Sequence, residues 1–330
     1  MRFSRYMHLW LYGKDGYYTK FRDIGREGDF YTAVSASRFF GASIAEFIWK
    51  KMQNEEISRR CSIVEIGAHR GYLLADMIEW FYHRDPSSIE NLEFAIIERQ
   101  DELIEVQKRY FADRFGSDIV LKHYRLGGES PLFEDACFIS NEIFDAFACD
   151  LYRDGEMAFV EDGEIVWREA DPDIVGFASK HSLIRGEIAT GYEEFASEIY
   201  ASAKRCDFIS FDYGEKYVRN DFSIRVYDNH ETYPLFDEEL DISTAFANSD
   251  ITYDVNFAHV IESFEKAGLR LESYETQARA LVRFGIVDIL QEYASIADYP
   301  SYLREADKIK TLLSPTIMGD KFKMVHFCKR

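Results

Sequence analysis

The sequence predicts an α/β protein built on a mostly parallel sheet with helices on both of its faces. Short runs of β-type residues recur along the chain, and amphipathic helical patterns separate them. The runs at 62–67, 136–142 and 207–214 are nearly continuous in apolar residues, as expected of central parallel strands that are buried on both faces. The candidate strands are 62–67, 92–98, 118–124, 136–142, 207–214, 269–276 and 321–329.

Three helical patterns lie between these strands. Apolar residues recur at three- and four-residue spacing over 72–83, 100–112 and 257–267, and Asn256 is a candidate N-cap for the last pattern. Strands that alternate with helices of this length form parallel sheets, because each crossover packs its helix on a face of the sheet.

Three segments fall outside the predicted core and attach near the carboxyl ends of strands, where open α/β sheets bind ligands. Two Asp-Gly pairs in "YRDGEMAFVEDGEIVWREA" indicate a small antiparallel meander. The predicted organisation is an N-terminal helical cap at 1–60 with a helix at about 36–53, a core at 61–144, 207–214 and 257–330, an insertion with the meander at 145–206, and a second, polar and irregular insertion at 215–256.

Composition and charge narrow the function. The chain has 330 residues, of which 47% are apolar and 30% charged, so it can bury a sizeable core. A net charge of −20 argues against nucleic acid as a partner. No apolar run approaches the ~20 residues that span a bilayer, and the N-terminus lacks the apolar region of a signal peptide. We therefore expect no membrane insertion and a cytoplasmic location.

The cysteines and histidines predict neither disulfides nor a metal site. The five cysteines form no C-x-x-C pair, which favours buried free thiols in a reducing compartment. The eight histidines show no H-E-x-x-H or comparable ligand spacing.

The stretch "IVEIGAHRGYLLADMI" has the layout of a strand, a tight loop and a helix. Gly67 and Gly71 would let the backbone turn sharply and let a ligand approach closely. The dinucleotide fingerprint G-x-G-x-x-G fails here. An acid-x-G-x-G-x-G pattern fits with Glu65 as the acid, except that His69 occupies the middle glycine position. An ordinary strand–helix turn is the alternative reading.

Polar side chains also end three other predicted strands. Glu98 could accept hydrogen bonds from two ribose hydroxyls. Asn141 and Glu142 end the fourth strand near the point where the strand order reverses, and Asp212 ends the fifth. A solvated strand end or a helix cap would explain any one of these polar residues. These explanations account less easily for several such residues at the ends of neighbouring strands.

These residues and their surroundings resemble the MidA-type methyltransferases, which include mitochondrial assembly factors for respiratory complex I. The likeness extends over nearly the whole chain. The matching segments are "YMHLWLYGKDGYYTK", "GREGDFYTAVSASRFFG", "VEIGAHRGYLLADMI", "SNEIFDAF" with its N-E-x-x-D-A motif, "FDYG", "DITYDVNF", "TQARALVRFGI" and "MGDKFKMVHF".

The resemblance implies a class I methyltransferase fold, with a Rossmann-like seven-stranded sheet whose last strand is antiparallel, and S-adenosylmethionine as the cofactor. By position, Glu65, Gly67, His69 and Gly71 would form the cofactor loop, and its glycines would hold the methionine part. The resemblance also implies that Glu98 binds the ribose, that Asp29 and Thr32 help to close the site, and that Asn141 and Glu142 lie near the transferred methyl group.

The chain departs from the family pattern at several positions. His69 replaces the middle loop glycine and Ala68 the usual proline, while Val34 and Ser35 stand where the family has Pro-Glu. Ala278 and Arg279 replace a glycine and an acid. Histidine tolerates positive φ better than most residues, so we expect His69 to keep the turn.

The resemblance implies methyl transfer to a protein side chain, with an arginine guanidinium favoured. A guanidinium would use carboxylates as bidentate orienting partners. The candidates are Glu142, Asp145 and Asp212. Asp145 could instead cap a helix, and Asp212 could make a structural hydrogen bond.

Three hypotheses follow, in decreasing order of support. The first is an active methyltransferase whose substrate is a protein. The resemblance implies that this substrate could be a subunit of a respiratory complex and that the enzyme could form a homodimer. The second is a scaffold protein that kept the fold but has weak or no activity. The third, a nicotinamide-dependent oxidoreductase, conflicts with the failed glycine fingerprint.

Overall fold

The computed structural model describes residues 1–19, 32–126, 131–228 and 231–330, and its chain divides into two compact units. The core unit comprises Phe30–Asn141, Ser197–Asp212 and Ala267–Arg330. The meander unit comprises Met1–Asp29, Glu142–Ala196 and Tyr213–Lys266. The boundaries predicted above for the cap, the core and the insertions stay a prediction.

The strands of the described residues follow in chain order. They are β1 (Ser62–Ile66), β2 (Glu93–Ile97), β3 (Leu121–Tyr124), β4 (Phe133–Asn141), β5 (Cys149–Arg153), β6 (Glu156–Glu161), β7 (Glu164–Glu169), β8 (Arg185–Ala189), β9 (Ala203–Glu215), β10 (Arg225–Asp228), β11 (Glu231–Pro234), β12 (Asp250–Thr252), β13 (Val255–Asn256), β14 (Arg270–Thr276) and β15 (Phe322–Lys329).

The helices of the same residues are numbered in the same way. They are α1 (Phe3–Tyr12), α2 (Ala33–Ala36), α3 (Arg38–Gln53), α4 (Tyr72–Arg84), α5 (Asp101–Phe115), α6 (Pro172–Lys180), α7 (Tyr192–Ser202), α8 (Ile242–Ala245), α9 (Phe257–Ala267), α10 (Gln277–Phe284), α11 (Ile286–Ala294) and α12 (Tyr299–Leu313). Single short turns of other helix types occur at Tyr17–Thr19, Pro86–Glu90, Phe144–Ala146 and Pro315–Gly319.

The core unit is built on a seven-stranded sheet in the order β14-β15-β9-β4-β1-β2-β3. β1 pairs in parallel with both β2 and β4, β2 with β3, and β4 with β9. β14 and β15 pair antiparallel. This confirms the predicted fold class, a mostly parallel sheet with an antiparallel last strand. The strand order reverses between β1 and β4, which is where open α/β sheets bind ligands.

Helix α3 shows why the core unit holds together. Phe40, Ile44 and Ile48 recur at four-residue spacing and are fully buried, so one stripe of the helix faces the core. The Phe40 ring meets Phe211 of β9 edge-on at 5.0 Å. Ser37 caps the helix, because its hydroxyl accepts a hydrogen bond from the Phe39 N–H.

A buried charge cluster surrounds Asp207, near the start of β9. Its carboxylate binds Arg330 through two hydrogen bonds of 2.6 and 3.0 Å, lies 2.7 Å from His326 Nε2, and lies 3.7 Å from Lys51 Nζ. Burial alone would raise the pKa of Asp207, but the hydrogen bonds from His326 and Arg330 outweigh it and lower the pKa to about 2. The sequence gives no sign of this cluster, because its members are far apart in the chain.

The meander unit contains a four-stranded antiparallel sheet in the order β7-β6-β5-β8. Asp154 and Gly155 connect β5 to β6, and Asp162 and Gly163 connect β6 to β7. All four residues have positive φ, the conformation that a tight hairpin turn requires. The predicted antiparallel meander is therefore present, and helix α6 packs on it through Ile174 and Ala178.

The segment 215–256 is more regular than predicted. It contains a small antiparallel sheet in the order β11-β10-β12 and the one-turn helix α8. Strands of three or four residues are too short for their alternation to stand out in the sequence, which explains the error.

Three further findings concern the residues that the structure describes. Among them, no helix is long and apolar enough to span a bilayer. No group of three or more His, Cys, Asp or Glu side chains within these ranges is arranged to hold a metal ion. All five cysteines are buried free thiols.

We predict that Asp207→Asn lowers the free energy of unfolding by about 3 kcal/mol at neutral pH, because it removes the charge of the buried carboxylate that binds Arg330 and His326. Since the folded-state pKa of about 2 lies below the unfolded value, the stabilisation is complete at neutral pH. It is lost as the pH falls from about 4. Urea unfolding at several pH values would measure both effects.

The control is Asp307→Asn, which breaks an exposed pair with Lys310. We expect this change to cost less than about 1 kcal/mol. Equal losses in the two variants would contradict the stabilising role of the buried cluster.

Candidate active site

The loop between β1 and α4 adopts left-handed backbone at three positions. φ is 70° at Gly67, 46° at His69 and 81° at Gly71. The Gly71 N–H donates to the Ala68 carbonyl at 2.7 Å, which closes a tight turn. His69 therefore takes the positive φ that a middle glycine would supply, and its presence does not break the turn.

Gly71 is required for space as well as for conformation. A Cβ atom at this position would lie 2.8 Å from Cε2 of Phe111, which is closer than carbon atoms approach each other. The Gly71 carbonyl accepts from the Ala75 N–H at 3.1 Å and so starts helix α4. The loop and the first turn of the helix thus depend on this one residue.

Glu65, on β1, stabilises the first turn of α4. Its buried carboxylate accepts a hydrogen bond from the Leu74 N–H at 3.0 Å. Burial raises the pKa of Glu65 to about 8, and the nearby charges of Asp76 and Glu98 act in the same direction. The hydrogen bond to Leu74 gives Glu65 a role in shaping the loop, while its predicted role in cofactor binding stays a prediction.

Glu98 follows β2 beside the same loop. Its Oε1 accepts hydrogen bonds from the Arg99 and Gln100 N–H groups at 2.7 and 3.0 Å, which fix the carboxylate in place. Burial raises the pKa of Glu98. A fixed, buried carboxylate matches the hydrogen-bond acceptor that ribose hydroxyls need.

Gln107 on α5 connects the loop to this carboxylate. Its fully buried Nε2 donates to the His69 carbonyl at 2.7 Å and lies 3.4 Å from Glu98 Oε2. Its Oε1 lies 2.9 Å from Nε2 of His123, on β3. Burial lowers the pKa of His123 to about 4, so this imidazole is neutral at physiological pH and can donate to the amide oxygen.

Sequence reasoning missed Gln107, although the chain carries a signal for it. Leu103, Gln107 and Phe111 are spaced by four residues on α5, and these are the buried positions of that helix. A polar side chain in the middle of an apolar stripe needs a hydrogen-bond partner inside the protein. That pattern indicates a residue with a specific polar contact.

Two buried serines lie just before Asn141 on β4 and Asp212 on β9. Ser140 Oγ and Ser210 Oγ are fully buried and hydrogen-bonded at 2.8 Å. In the same register Asn141 lies opposite Phe211, and Asp212 follows as a fully buried residue. Asn141 therefore ends β4, whereas β9 continues to Glu215, so Asp212 lies inside its strand and not at the strand end that the sequence predicted.

Thr32 caps the one-turn helix α2. Its hydroxyl accepts from the Ser35 N–H at 3.3 Å, and Ser35 Oγ accepts from the Thr32 N–H at 3.0 Å. This is a capping box, in which the third helical residue is most often Glu or Gln. Ser35 therefore makes the reciprocal contact that Glu or Gln makes in the usual capping box. Asp29, the other residue predicted to close the site, lies outside the described residues.

The meander unit holds the remaining predicted residues. Glu142 has φ of 53°, and Asp145 lies on the short turn Phe144–Ala146. The Tyr213 hydroxyl donates to Asp145 Oδ2 at 2.6 Å and lies 2.7 Å from Thr252 Oγ1. Burial raises the pKa of Asp145 to about 6, against the lowering effects of Tyr213 and Arg225.

The ring of Tyr213 is covered in turn by a cation. The Arg225 guanidinium lies 4.8 Å from the ring centroid and binds Asp254 at 2.7 Å. It also donates to the Ser223 carbonyl and the Tyr227 hydroxyl. This packing fixes the ring whose hydroxyl holds Asp145.

The structure thus brings Glu65, Gly67, His69, Gly71 and Glu98 into one network in the core unit. Asn141, Asp212 and Thr32 belong to the same unit, while Glu142 and Asp145 belong to the meander unit. The fixed carboxylate, the left-handed loop and the reversal of strand order together define a nucleoside-binding α/β protein.

Comparison with known proteins identifies the class. Residues 42–275 match a protein family described as "Putative S-adenosyl-L-methionine-dependent methyltransferase". The match covers more than half of the chain, so the chain belongs to this family. The protein is an S-adenosylmethionine-dependent methyltransferase. No curated protein matches the sequence.

Two crystal structures from Burkholderia thailandensis share the fold. One, solved with S-adenosyl-homocysteine bound, is 24% identical over 100% of this chain and 88% of its own, with a TM-score of 0.83. The other, a native structure of a protein described as uncharacterized, is 22% identical over 100% of this chain and 87% of its own, with a TM-score of 0.80.

The core unit fits this cofactor. The Glu98 carboxylate offers acceptors for the ribose, and the loop from Gly67 to Gly71 offers a close backbone approach for the methionine part. Because Gln107 bonds to the loop and lies beside the carboxylate, both halves of the cofactor would meet surfaces that are fixed relative to each other.

We predict that Gln107→Leu weakens the binding of S-adenosyl-homocysteine by about tenfold, because the His69 carbonyl loses its donor. Titration calorimetry of the wild type and the variant would measure the effect. The matched control is Gln291→Leu at an exposed position of α11, for which we expect unchanged affinity. Circular dichroism would verify that both variants are folded. Equal affinity of Gln107→Leu and the wild type would contradict the connecting role.

Proposed function

We propose that the protein transfers a methyl group to a protein side chain, and that the acceptor is an arginine guanidinium. The observation that supports this most directly is the buried carboxylate of Asp145, which Tyr213 holds at 2.6 Å. Asp145 belongs to the N-E-x-x-D-A motif, whose first two residues end the central strand β4 and begin the meander unit. The likeness to methyltransferases with arginine acceptors points the same way.

A guanidinium suits this environment for a chemical reason. It binds carboxylates through paired hydrogen bonds and stacks on aromatic rings. Arg225 already does both within the meander unit, since it binds Asp254 and covers Tyr213. A substrate guanidinium would find a carboxylate and a tyrosine hydroxyl at Asp145.

The cofactor supplies an electrophilic methyl group on a sulfonium. The chain's residues must align the acceptor nitrogen with that methyl and exclude water. In the proposed step the nitrogen–carbon bond forms as the sulfur–carbon bond breaks. The nitrogen then loses a proton, which Asp145 accepts and passes to water, in keeping with its pKa of about 6. Glu142 and Asp212 are the further candidates for orienting the acceptor.

The partner would be a protein, and the likeness to assembly factors suggests a subunit of a respiratory complex. The alternative is a scaffold with weak or no activity. The substitutions at His69 and Ser35 favour it, because both residues depart from the usual pattern of the family that the chain resembles. Two observations weigh against it, since His69 keeps the loop conformation and Ser35 completes the capping box.

We expect the wild type to bind S-adenosyl-homocysteine and to transfer label from S-adenosylmethionine to an arginine-glycine-glycine repeat peptide. We expect no labelling of the corresponding lysine peptide.

Asp145→Asn should lower the rate of methyl transfer by about a hundredfold, while Asp162→Asn in an exposed turn should not. The wild-type rate should fall as the pH falls through about 6, because protonation removes the charge of Asp145. Labelled methylarginine after hydrolysis is the readout.

A parallel variant, His69→Gly, separates the two hypotheses. Cofactor binding without transfer in either protein would contradict arginine methylation and favour the scaffold. Binding or transfer seen only with His69→Gly would show that the histidine side chain blocks the natural site. Label on lysine would leave the enzyme class intact and overturn the choice of acceptor.

A further inference from the structure

Negative charge is concentrated in the meander unit. That unit holds 30 Asp and Glu residues against 14 Lys and Arg residues, so it carries −16 of the chain's net charge of −20. The core unit is larger and nearly neutral by comparison. An acidic surface of this kind attracts basic partners, but charge alone selects no particular place on it.

A contact that recurs in the same unit indicates which chemical group its surface would bind. Four of its arginines each lie over an aromatic ring and pair with a carboxylate. These are Arg153 with Trp167 and Glu156, Arg168 with Phe159 and Glu161, Arg185 with Phe222 and Asp221, and Arg225 with Tyr213 and Asp254. The combination of ring and carboxylate is the one that binds guanidinium best.

Three rings form a patch at the surface of this unit, here called the ring patch: Trp167, Phe222 and Phe236. Phe236 lies 4.8 Å from Phe222 and 6.0 Å from Trp167, measured between ring centroids. Arg153 lies 4.0 Å from the Trp167 centroid and Arg185 lies 5.9 Å from that of Phe222. The chain's own arginines thus cover two of the three rings.

Phe236 differs from its two neighbours. Its side chain is 43% exposed, and among the described residues no Lys or Arg lies over it. Asp237, Glu238 and Glu239 follow it directly and form no ion pair with any basic side chain in the described ranges. Three acidic residues thus follow the third ring in the chain, and no guanidinium of the described residues lies over that ring.

We propose that the ring patch is a docking surface for an arginine-bearing segment of a partner protein, with a partner guanidinium over Phe236 and its charge facing Glu238 and Glu239. The inference rests on the proposed function in one respect, namely that the partner is a protein. The choice of arginine rests on the four contacts within the chain. The patch would hold the partner at a place other than Asp145.

Peptide titration tests the surface directly. The probe is an arginine-glycine-glycine repeat peptide, with a lysine-glycine-glycine peptide of equal charge as the comparison. We expect Phe236→Ala and Phe236→Leu each to weaken binding of the arginine peptide by about fivefold, since both remove the aromatic face. We expect Glu238→Gln with Glu239→Gln to weaken it similarly, and the lysine peptide to bind less tightly than the arginine peptide.

The controls remove equal charge or an equal ring elsewhere in the unit. Glu194→Gln with Glu265→Gln changes the net charge by the same amount, and Tyr217→Ala removes a ring that is 68% exposed. We expect both controls to bind the peptide like the wild type. Circular dichroism of every variant verifies that each is folded. Unchanged binding in the Phe236 variants, or an equal loss in the charge control, would overturn the proposal.

Asp145→Asn separates this inference from the proposed function. If that variant loses methyl transfer yet still binds the peptide through Phe236, both proposals hold. If neither the wild type nor any variant transfers methyl groups to arginine, but the Phe236 variants still bind the arginine peptide more weakly, the docking surface stands and the choice of acceptor fails. If transfer occurs and the Phe236 variants bind normally, the docking surface fails alone.

Discussion

The left-handed turn between β1 and α4 is the constraint on which the cofactor region depends. Between Gly67 and Gly71 the chain must leave a buried strand and begin a buried helix, and it does so with positive φ at three positions. Glu65 holds the helix start from the strand side, and Gln107 holds the loop carbonyl from α5. The turn is therefore fixed by buried polar contacts, which is why one histidine can replace a glycine without altering its course.

Buried carboxylates serve two different purposes in this protein. Asp207 is surrounded by cations, so its pKa falls to about 2 and its charge stabilises the fold. For Glu65 and Asp145 the effect of burial prevails, and it raises their pKa values to about 8 and about 6. Groups with values near neutrality are the ones suited to proton transfer. Glu65 is engaged with the backbone, whereas Asp145 sits beside a tyrosine hydroxyl.

The sequence was sufficient for the main sheet and for most of the loop. Apolar runs and turn glycines predicted the seven strands, and the tolerance of histidine for positive φ predicted the behaviour of His69. The small sheet at 225–252 was missed, because strands of three or four residues carry too little alternation. Gln107 and the cluster at Asp207 were missed because their partners lie far away in the chain, and one sequence contains no record of such pairings.

The uneven charge of the two units bears on kinetics as well as on recognition. Attraction between an acidic surface and a basic partner acts over about 10 Å at 0.1 M salt, so it speeds the approach before any contact forms. Added salt would then slow association strongly and change dissociation little. If the protein binds an arginine-bearing segment as proposed, the meander unit would speed the diffusion of that segment towards its docking surface.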